Sequence, residues 1–391
     1  MYKIQTLNKI AAIGTDRLDA ERYTVSDAET APDAILVRSA KMHDTQFNPE
    51  LLCIARAGAG TNNIPSARCA EEGIVVFNTP GANAEGVKEL ALAALIFSAR
   101  DVFGGMEWVK TIAGTPDVAA QVEKGKAAFV GREIKGKTLG VIGLGAIGAK
   151  LANDAIALGM SVIGIDPYIS VGGALRLSPL VKLTNSVADI YKNADYISIH
   201  VPYIASGDGA THHYINADAL AQMKSDAVIL NMARAELVDD DAMLAALESG
   251  SVLRYVTDFP NDKTAGAKGV IALPHLGAST PESEDNCAIM AVNQTVDYIE
   301  NGNIVNSVNY PALSVPRSGS RICVLGCSSE DLMYKVTQND LARKTDMLGF
   351  AGAKRGDFVY MICDYAKGAE LAAAADAIRA LDGVIRVRVI D

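Results

Sequence analysis

Cysteine, aromatic side chains and positive charge are all scarce in this 391-residue chain, and each shortage excludes something. The six cysteines (Cys53, Cys69, Cys287, Cys323, Cys327 and Cys363) are scattered, with no CxxC pair and no CxxC followed by HxxxH. That pattern suits free thiols in a reducing compartment and argues against a disulfide framework or a zinc site. Lysine and arginine number 36 against 46 aspartates and glutamates, a formal net charge of −10. Nucleic acid and anionic membranes both demand a basic face, so neither is expected as a partner. A small anionic metabolite is not excluded, because it answers to a few local cations. No apolar run reaches the roughly 18 residues of a membrane span. The opening MYKIQTLNKIAAIG has a lysine inside its apolar stretch and no small-residue cleavage signal. It reads as a first strand, and the expected location is the cytoplasm.

The chain is too long for one ordinary core, so two or three domains are expected. In the first 90 residues the runs AILVRS, LLCIARAGAG and GIVVFNTP end in turn residues, as buried strands do. A helical stretch follows from Ala84 to about Arg100. A second series, TLGVIGLG, SVIGID, YISIHVP, AVILNMA, YVTDFP and VIALPH, alternates with helical segments up to about Pro274. Strands and helices at this spacing imply parallel βαβ units in a doubly wound α/β sheet. After a helix at about Pro281 to Asn301 and the linker PALSVPRSGS, the last 70 or so residues read as a small α+β module of βαββαβ type.

Gly143-Leu-Gly145-Ala146-Ile147-Gly148 lies between the apolar run TLGVI and the helix AKLANDAIALG. In that context the first glycine permits a tight turn, the second admits a pyrophosphate to the backbone, and the third lets helix and strand pack closely. The pyrophosphate then meets the free N–H groups of a helix N-terminus. Asp166 ends the next strand, where a carboxylate accepts from a ribose hydroxyl and repels a 2′-phosphate, so NAD is the expected cofactor. Of the five histidines, His275 ends the last strand of the series and is the candidate general acid/base. His200, with Val201 and Pro202, ends another strand and is expected to line the cofactor. Arg234, after Ala233, follows a third strand end, where a guanidinium can grip a carboxylate. Arg38, Ser39 and Arg56 follow strand ends in the first segment and suggest a cationic pocket for a substrate with two anionic ends.

Taken in order, RAGAG, NTPGANAEGVKELAL, GKTLGVIGLGAIGAKLA, IGIDPY, ISIHVP, NMARAELVDDDAML and PHLGAST resemble the D-2-hydroxyacid dehydrogenase family. The resemblance implies a Rossmann nucleotide domain (93–282) inside a discontinuous, flavodoxin-like substrate domain (1–92 with 283–311). It implies NAD-dependent oxidation of a D-2-hydroxy acid, with 3-phospho-D-glycerate, the precursor that opens serine biosynthesis, as the expected substrate. An unphosphorylated D-2-hydroxy acid and a non-catalytic NAD-sensing regulator are the alternatives. By the family's pattern His275 is the acid/base and Arg234 orients the substrate. Arg38 and Arg56 hold a phosphate, and Gly58, Ala59 and Gly60 with Asn83 bind the rest of the substrate. The family's third catalytic member is a glutamate. Here the segment is Thr257-Asp258-Phe259-Pro260-Asn261-Asp262, which puts Asp262 in its place and leaves Asp258 as the aspartate toward the nicotinamide amide. The C-terminal module (320–391) resembles an ACT regulatory domain. That implies a homodimer or homotetramer and a small-molecule effector. The turn of serine-regulated relatives is missing from Gly326-Cys-Ser-Ser-Glu-Asp-Leu332, so the effector differs or the module serves assembly.

Overall fold

The computed structural model describes residues 1–327 and 332–391 and divides into two compact units, 1–83 with 281–391 and 84–280. Residues 328–331, most of the loop on which the effector expectation turned, lie outside the described residues.

The first unit begins with five strands: β1 (Tyr2–Leu7), β2 (Tyr23–Ser26), β3 (Ala34–Val37), β4 (Cys53–Arg56) and β5 (Val75–Phe77). They pair in parallel in the order β2-β1-β3-β4-β5, the flavodoxin-like order. All four residues of β3 and all three of β5 are buried, which is why these segments are continuous apolar runs rather than alternating ones. The chain returns to this unit in the helix Pro281–Asn301. Its Ala291, Val292, Tyr298 and Ile299 share a core with Ile4, Leu36, Ala55 and Phe77.

The second unit carries β6 (Thr138–Ile142), β7 (Ser161–Ile165), β8 (Lys182–Leu183), β9 (Tyr196–Ile199), β10 (Val228–Asn231), β11 (Arg254–Thr257) and β12 (Val270–Ala272). The parallel order β12-β11-β10-β9-β6-β7-β8 is doubly wound, and the direction of winding reverses between β6 and β9. A boundary at 92/93 falls inside the helix Ala84–Ala99, and the structure divides the chain ahead of that helix. Ala91, Ala94 and Leu95 of the helix pack with Leu139, Val141 and Val256 of the second unit's sheet. Among the described residues no helix is long and apolar enough to cross a membrane.

The C-terminal module adds β13 (Ser320–Cys327), β14 (Met347–Arg355), β15 (Phe358–Tyr365) and β16 (Val384–Ile390), antiparallel in the order β14-β15-β13-β16. Both faces of this sheet are apolar, and each has a different partner. Ile322, Val324, Met361 and Cys363 pack under the module's own helices, with Leu332, Val336, Ala374 and Ile378. Cys323, Leu325, Tyr360, Ile362 and Ile390 join the core that holds β1, β3, β4 and the 281–301 helix. The module is thus a layer of the first unit.

Its guanidiniums satisfy carbonyls that the helix end leaves open. Arg388 donates to Tyr298 O (3.2 Å) and Ile299 O (2.9 Å), and Arg321 donates to Asn301 O. Arg321 is fully buried and forms a two-pronged pair with Asp364, at 2.6 and 3.1 Å. Removing one partner of a buried pair leaves the other charge uncompensated. Arg321→Ala should therefore cost about 3–5 kcal/mol in urea unfolding, with Arg321→Lys restoring little because it cannot fork. A cost under about 1 kcal/mol would mean that water replaces the pair.

Candidate active site

In both parallel sheets the residues singled out by sequence fall just beyond the C-terminal ends of strands, where a doubly wound sheet binds its ligand. The second unit supplies the nucleotide turn. Gly143 follows β6 at φ +92°, and a Cβ there would lie 2.6 Å from the His200 carbonyl oxygen across the winding reversal. A Cβ on Gly148 would run into the Gly143 carbonyl, so the start of the helix Gly148–Ala157 sits directly on the turn. Gly145 is different: apart from its own chain neighbours, no atom of the described residues lies within 4 Å of where its Cβ would be. Two of the glycines are required by the fold, and the middle one leaves room for something outside it. Ala146 and Ile147 complete the turn ahead of the helix. Asp166, just past β7, accepts from Leu144 N and Tyr168 N, both at 2.9 Å, which fixes its carboxylate against the glycine turn.

His200 ends β9, followed by Val201 and Pro202. Its Nε2 is 2.8 Å from Ser198 Oγ, while its Nδ1 is buried with no partner among the described residues. Burial pushes its pKa down to about 4, so the ring is neutral at physiological pH and serves as a polar wall rather than a proton carrier.

The remaining strand ends gather a second cluster. Buried Asn231, the last residue of β10, accepts from Ala233 N (3.1 Å) and donates to Arg234 O (2.8 Å). It thereby pins the turn that carries Arg234. The Arg234 guanidinium donates to Ala233 O (2.6 Å) and lies 5.9 Å from the centroid of the Phe259 ring. That ring stands 4.4 Å, centroid to centroid, from the imidazole of exposed His275, beyond β12. Asp258 is 1% exposed, and its Oδ1 has no partner among the described residues. Burial raises its pKa to about 6, against the opposing pull of Arg234 and the Gly277 amide. Asp262 is exposed in the following turn. Its neighbours Asn261 and Lys263 reach Asp240 and Asp241, each at 2.7 Å, so the turn is tied to the helix Asp240–Ser249. The carboxylate buried beside Arg234 is that of Asp258. Asn231 and Phe259 were not anticipated from sequence, although both flank residues that were.

In the first unit Arg38, beyond β3, pairs with Glu284 at 2.7 Å. Ser39 N and Ala40 N donate to Asn8 Oδ1 (2.9 and 2.7 Å), which fixes the loop. Arg56, at the end of β4, donates to Arg38 O (3.0 Å) and to Gly60 O, so part of its role is to brace these two loops. Gly58 N donates to Thr79 Oγ1 (2.8 Å), and Ala59 O accepts from Asn78 (2.6 Å). The turn therefore presents at most the amides of Ala59 and Gly60 to a ligand. Asn83 is the last residue of the unit before the helix Ala84–Ala99.

Residues 96–277 match the family model described as D-isomer specific 2-hydroxyacid dehydrogenase, NAD binding domain. Hydroxypyruvate reductase of Thermotoga maritima is 34% identical over 277 residues, 67% of this chain and 83% of that protein. The chain belongs to the D-2-hydroxyacid dehydrogenase family. D-3-phosphoglycerate dehydrogenase of Methanocaldococcus jannaschii is 33% identical over 279 residues, 69% of this chain and 50% of that protein. The chain thus spans only about half the length of that curated relative. Among solved structures, NAD+-bound 3-phosphoglycerate dehydrogenase of Entamoeba histolytica shares the fold at a TM-score of 0.60 and 24% identity, over 80% of this chain and 99% of that one.

The cofactor of this dehydrogenase domain is NAD, and the residues present fit it. The open space at Gly145 and the unpartnered buried atoms of His200 and Asp258 are what a polar ligand would satisfy. Two outcomes follow. Gly145→Ala should leave thermal stability within about 0.5 kcal/mol yet weaken NADH binding measured by fluorescence, whereas Gly143→Ala should destabilise the fold itself. Equal effects on stability would remove the distinction. Asp258 holds its proton more tightly folded than unfolded, so its cost to stability appears as pH rises from about 4 to about 6 and persists above. Unfolding at pH 4 and pH 7 should show Asp258→Asn gaining about 2–3 kcal/mol on the wild type across that window; parallel curves would contradict the raised value.

Proposed function

We propose that this family member oxidises 3-phospho-D-glycerate to 3-phosphooxypyruvate with NAD. The observation that carries the dehydrogenase assignment is the cluster of Arg234, Phe259 and His275 with buried Asp258, set on strand ends of the same sheet as the glycine turn. NAD, when bound, accepts the hydride that leaves carbon 2. Gly143, Gly145, Ala146, Ile147, Gly148 and Asp166 would hold its phosphates and ribose, with His200, Val201, Pro202, Ala233 and Asp258 along its length. The chain's own part is the proton and the orientation. His275 takes the hydroxyl proton through its imidazole and returns it in the reverse direction. Arg234 grips the carboxylate and carbonyl with a planar fork, and the Ala59 and Gly60 amides are donors that the family's pattern assigns to the substrate. Arg38 takes the distal phosphate, braced by Arg56. Asp262 is the carboxylate assigned to His275 by the family's pattern.

The phosphorylated substrate is supported by relatives named D-3-phosphoglycerate dehydrogenase at 30–34% identity. A second reading, an unphosphorylated acid, is favoured by one observation: Arg38 already has a carboxylate on it. The relative named hydroxypyruvate reductase agrees with it. The proposal carries with it a cytoplasmic homodimer or homotetramer and an ACT-like C-terminal module that takes a small effector or serves assembly.

The test is NADH-linked reduction of 3-phosphooxypyruvate beside hydroxypyruvate and pyruvate. A preference for the phosphorylated acid supports the first reading, preference for another acid the second, and no turnover a sensor on the same fold. His275→Ala should lower turnover by about 10² to 10⁴ with NADH affinity nearly intact. Loss of NADH binding as well would make His275 structural.

A further inference from the structure

We infer that Glu284 is a specificity-determining residue: it competes with the distal anion of the substrate for Arg38, and so sets the preference between phosphorylated and unphosphorylated 2-hydroxy acids. The inference rests on Arg38 holding the distal end of the substrate, as proposed above.

Glu284 lies in the first turn of the 281–301 helix, where the free N–H groups and the dipole favour a carboxylate. Its Oε1 is 2.7 Å from Arg38 Nη2, and the two side chains are 41% and 40% exposed. An ion pair so open to water is weak, so an incoming anion can displace it. The carboxylate nevertheless cannot go far. Cys287, one turn along the same helix, is buried beside Thr79, and Thr79 Oγ1 holds Gly58 N at 2.8 Å. That contact ties the Glu284 face of the helix to the segments that follow β4 and β5. Arg56 meanwhile grips Arg38 O and Gly60 O, which fixes the backbone from which Arg38 extends.

A phosphate seated on Arg38 would therefore have the displaced Glu284 carboxylate for a neighbour, and the two repel. A hydroxyl end suffers no such repulsion and can donate to Glu284. The same residue thus penalises one substrate class and accommodates the other. It acts on binding of the distal group and has no part in the proton transfer, which places its effect in KM rather than kcat.

The test compares wild type, Glu284→Gln, which keeps length and hydrogen bonding while removing the charge, and Glu284→Ala. Both variants should raise the ratio of kcat/KM for 3-phosphooxypyruvate over hydroxypyruvate by about tenfold, mostly through KM for the phosphorylated acid. A ratio that does not rise overturns the inference. The outcomes separate from those of the proposed function. Should the wild type prefer hydroxypyruvate and the ratio still rise, the substrate assignment fails and the inference stands. Should the wild type prefer the phosphorylated acid and the ratio stay put, the reverse holds. In the event of no turnover at all, titration calorimetry with inorganic phosphate decides: tighter binding by Glu284→Gln supports the competition, and equal binding refutes it.

Discussion

The nucleotide-binding unit depends on one close approach, that of Gly143 to the carbonyl of His200 across the β6–β9 junction. Only a residue without a Cβ fits there, and only a residue tolerant of positive φ can turn the chain away from β6 at that point. Once the turn is that tight, the following helix must begin on top of it, which is why Gly148 meets the Gly143 carbonyl. Asp166 then closes on Leu144 N from the adjacent strand end. What remains is a helix N-terminus facing an open space at Gly145. That opening is thus a by-product of how closely two parallel strands and one helix can be brought together, and a helix N-terminus facing it suits an anion.

The second requirement is that polar groups at strand ends be held before any ligand arrives. Asn231 is buried and uses its amide on both Ala233 N and Arg234 O, so the turn carrying Arg234 is fixed by a side chain pointing into the protein. Thr79 does the same for the Gly58 turn in the other unit. Among the described residues few buried side-chain atoms lack a partner, and two of them, His200 Nδ1 and Asp258 Oδ1, lie just past strand ends of the nucleotide-binding sheet. A buried polar atom without a partner is costly. Burial at this edge is also why His200 is neutral and Asp258 holds its proton unusually well.

Much of this was legible in the chain. Parallel strands buried on both faces read as near-continuous apolar runs; AILV is one without interruption, and YISI and VILN are broken only by Ser198 and Asn231. The glycine spacing carries its own geometry. The boundary at 83/84 was not legible, because the helix Ala84–Ala99 has no break at its start that distinguishes it from a continuation of the first unit. The Arg38–Glu284 pair was invisible for another reason: the partners are far apart in sequence, and a glutamate in the first turn of a helix already has a local explanation in the dipole. The C-terminal strands were recognisable, yet their two apolar faces do not say which is covered by the module's helices and which by the first unit's core.

That last packing bears on charge. A helix whose end is roofed by a sheet cannot give its last carbonyls to water, so donors must come from the roof. Arg388 and Arg321, with Arg317 from the linker donating to Glu300 O at 2.6 Å, fill that need. Arg386 similarly reaches Leu51 O (2.7 Å) and Pro49 O (2.9 Å) in the segment ahead of β4. Guanidinium suits this work because it stays charged when buried and offers several donors in a plane. In a chain with a net charge of −10, these arginines are committed to backbone carbonyls and contribute little field to a ligand outside. Attraction for a small anionic ligand would then come from the few cations at strand ends, and of these Arg38 lies on Glu284 and Arg234 acts on Asp258. Selectivity in such a protein is governed less by how many arginines it has than by which carboxylate an incoming anion must displace.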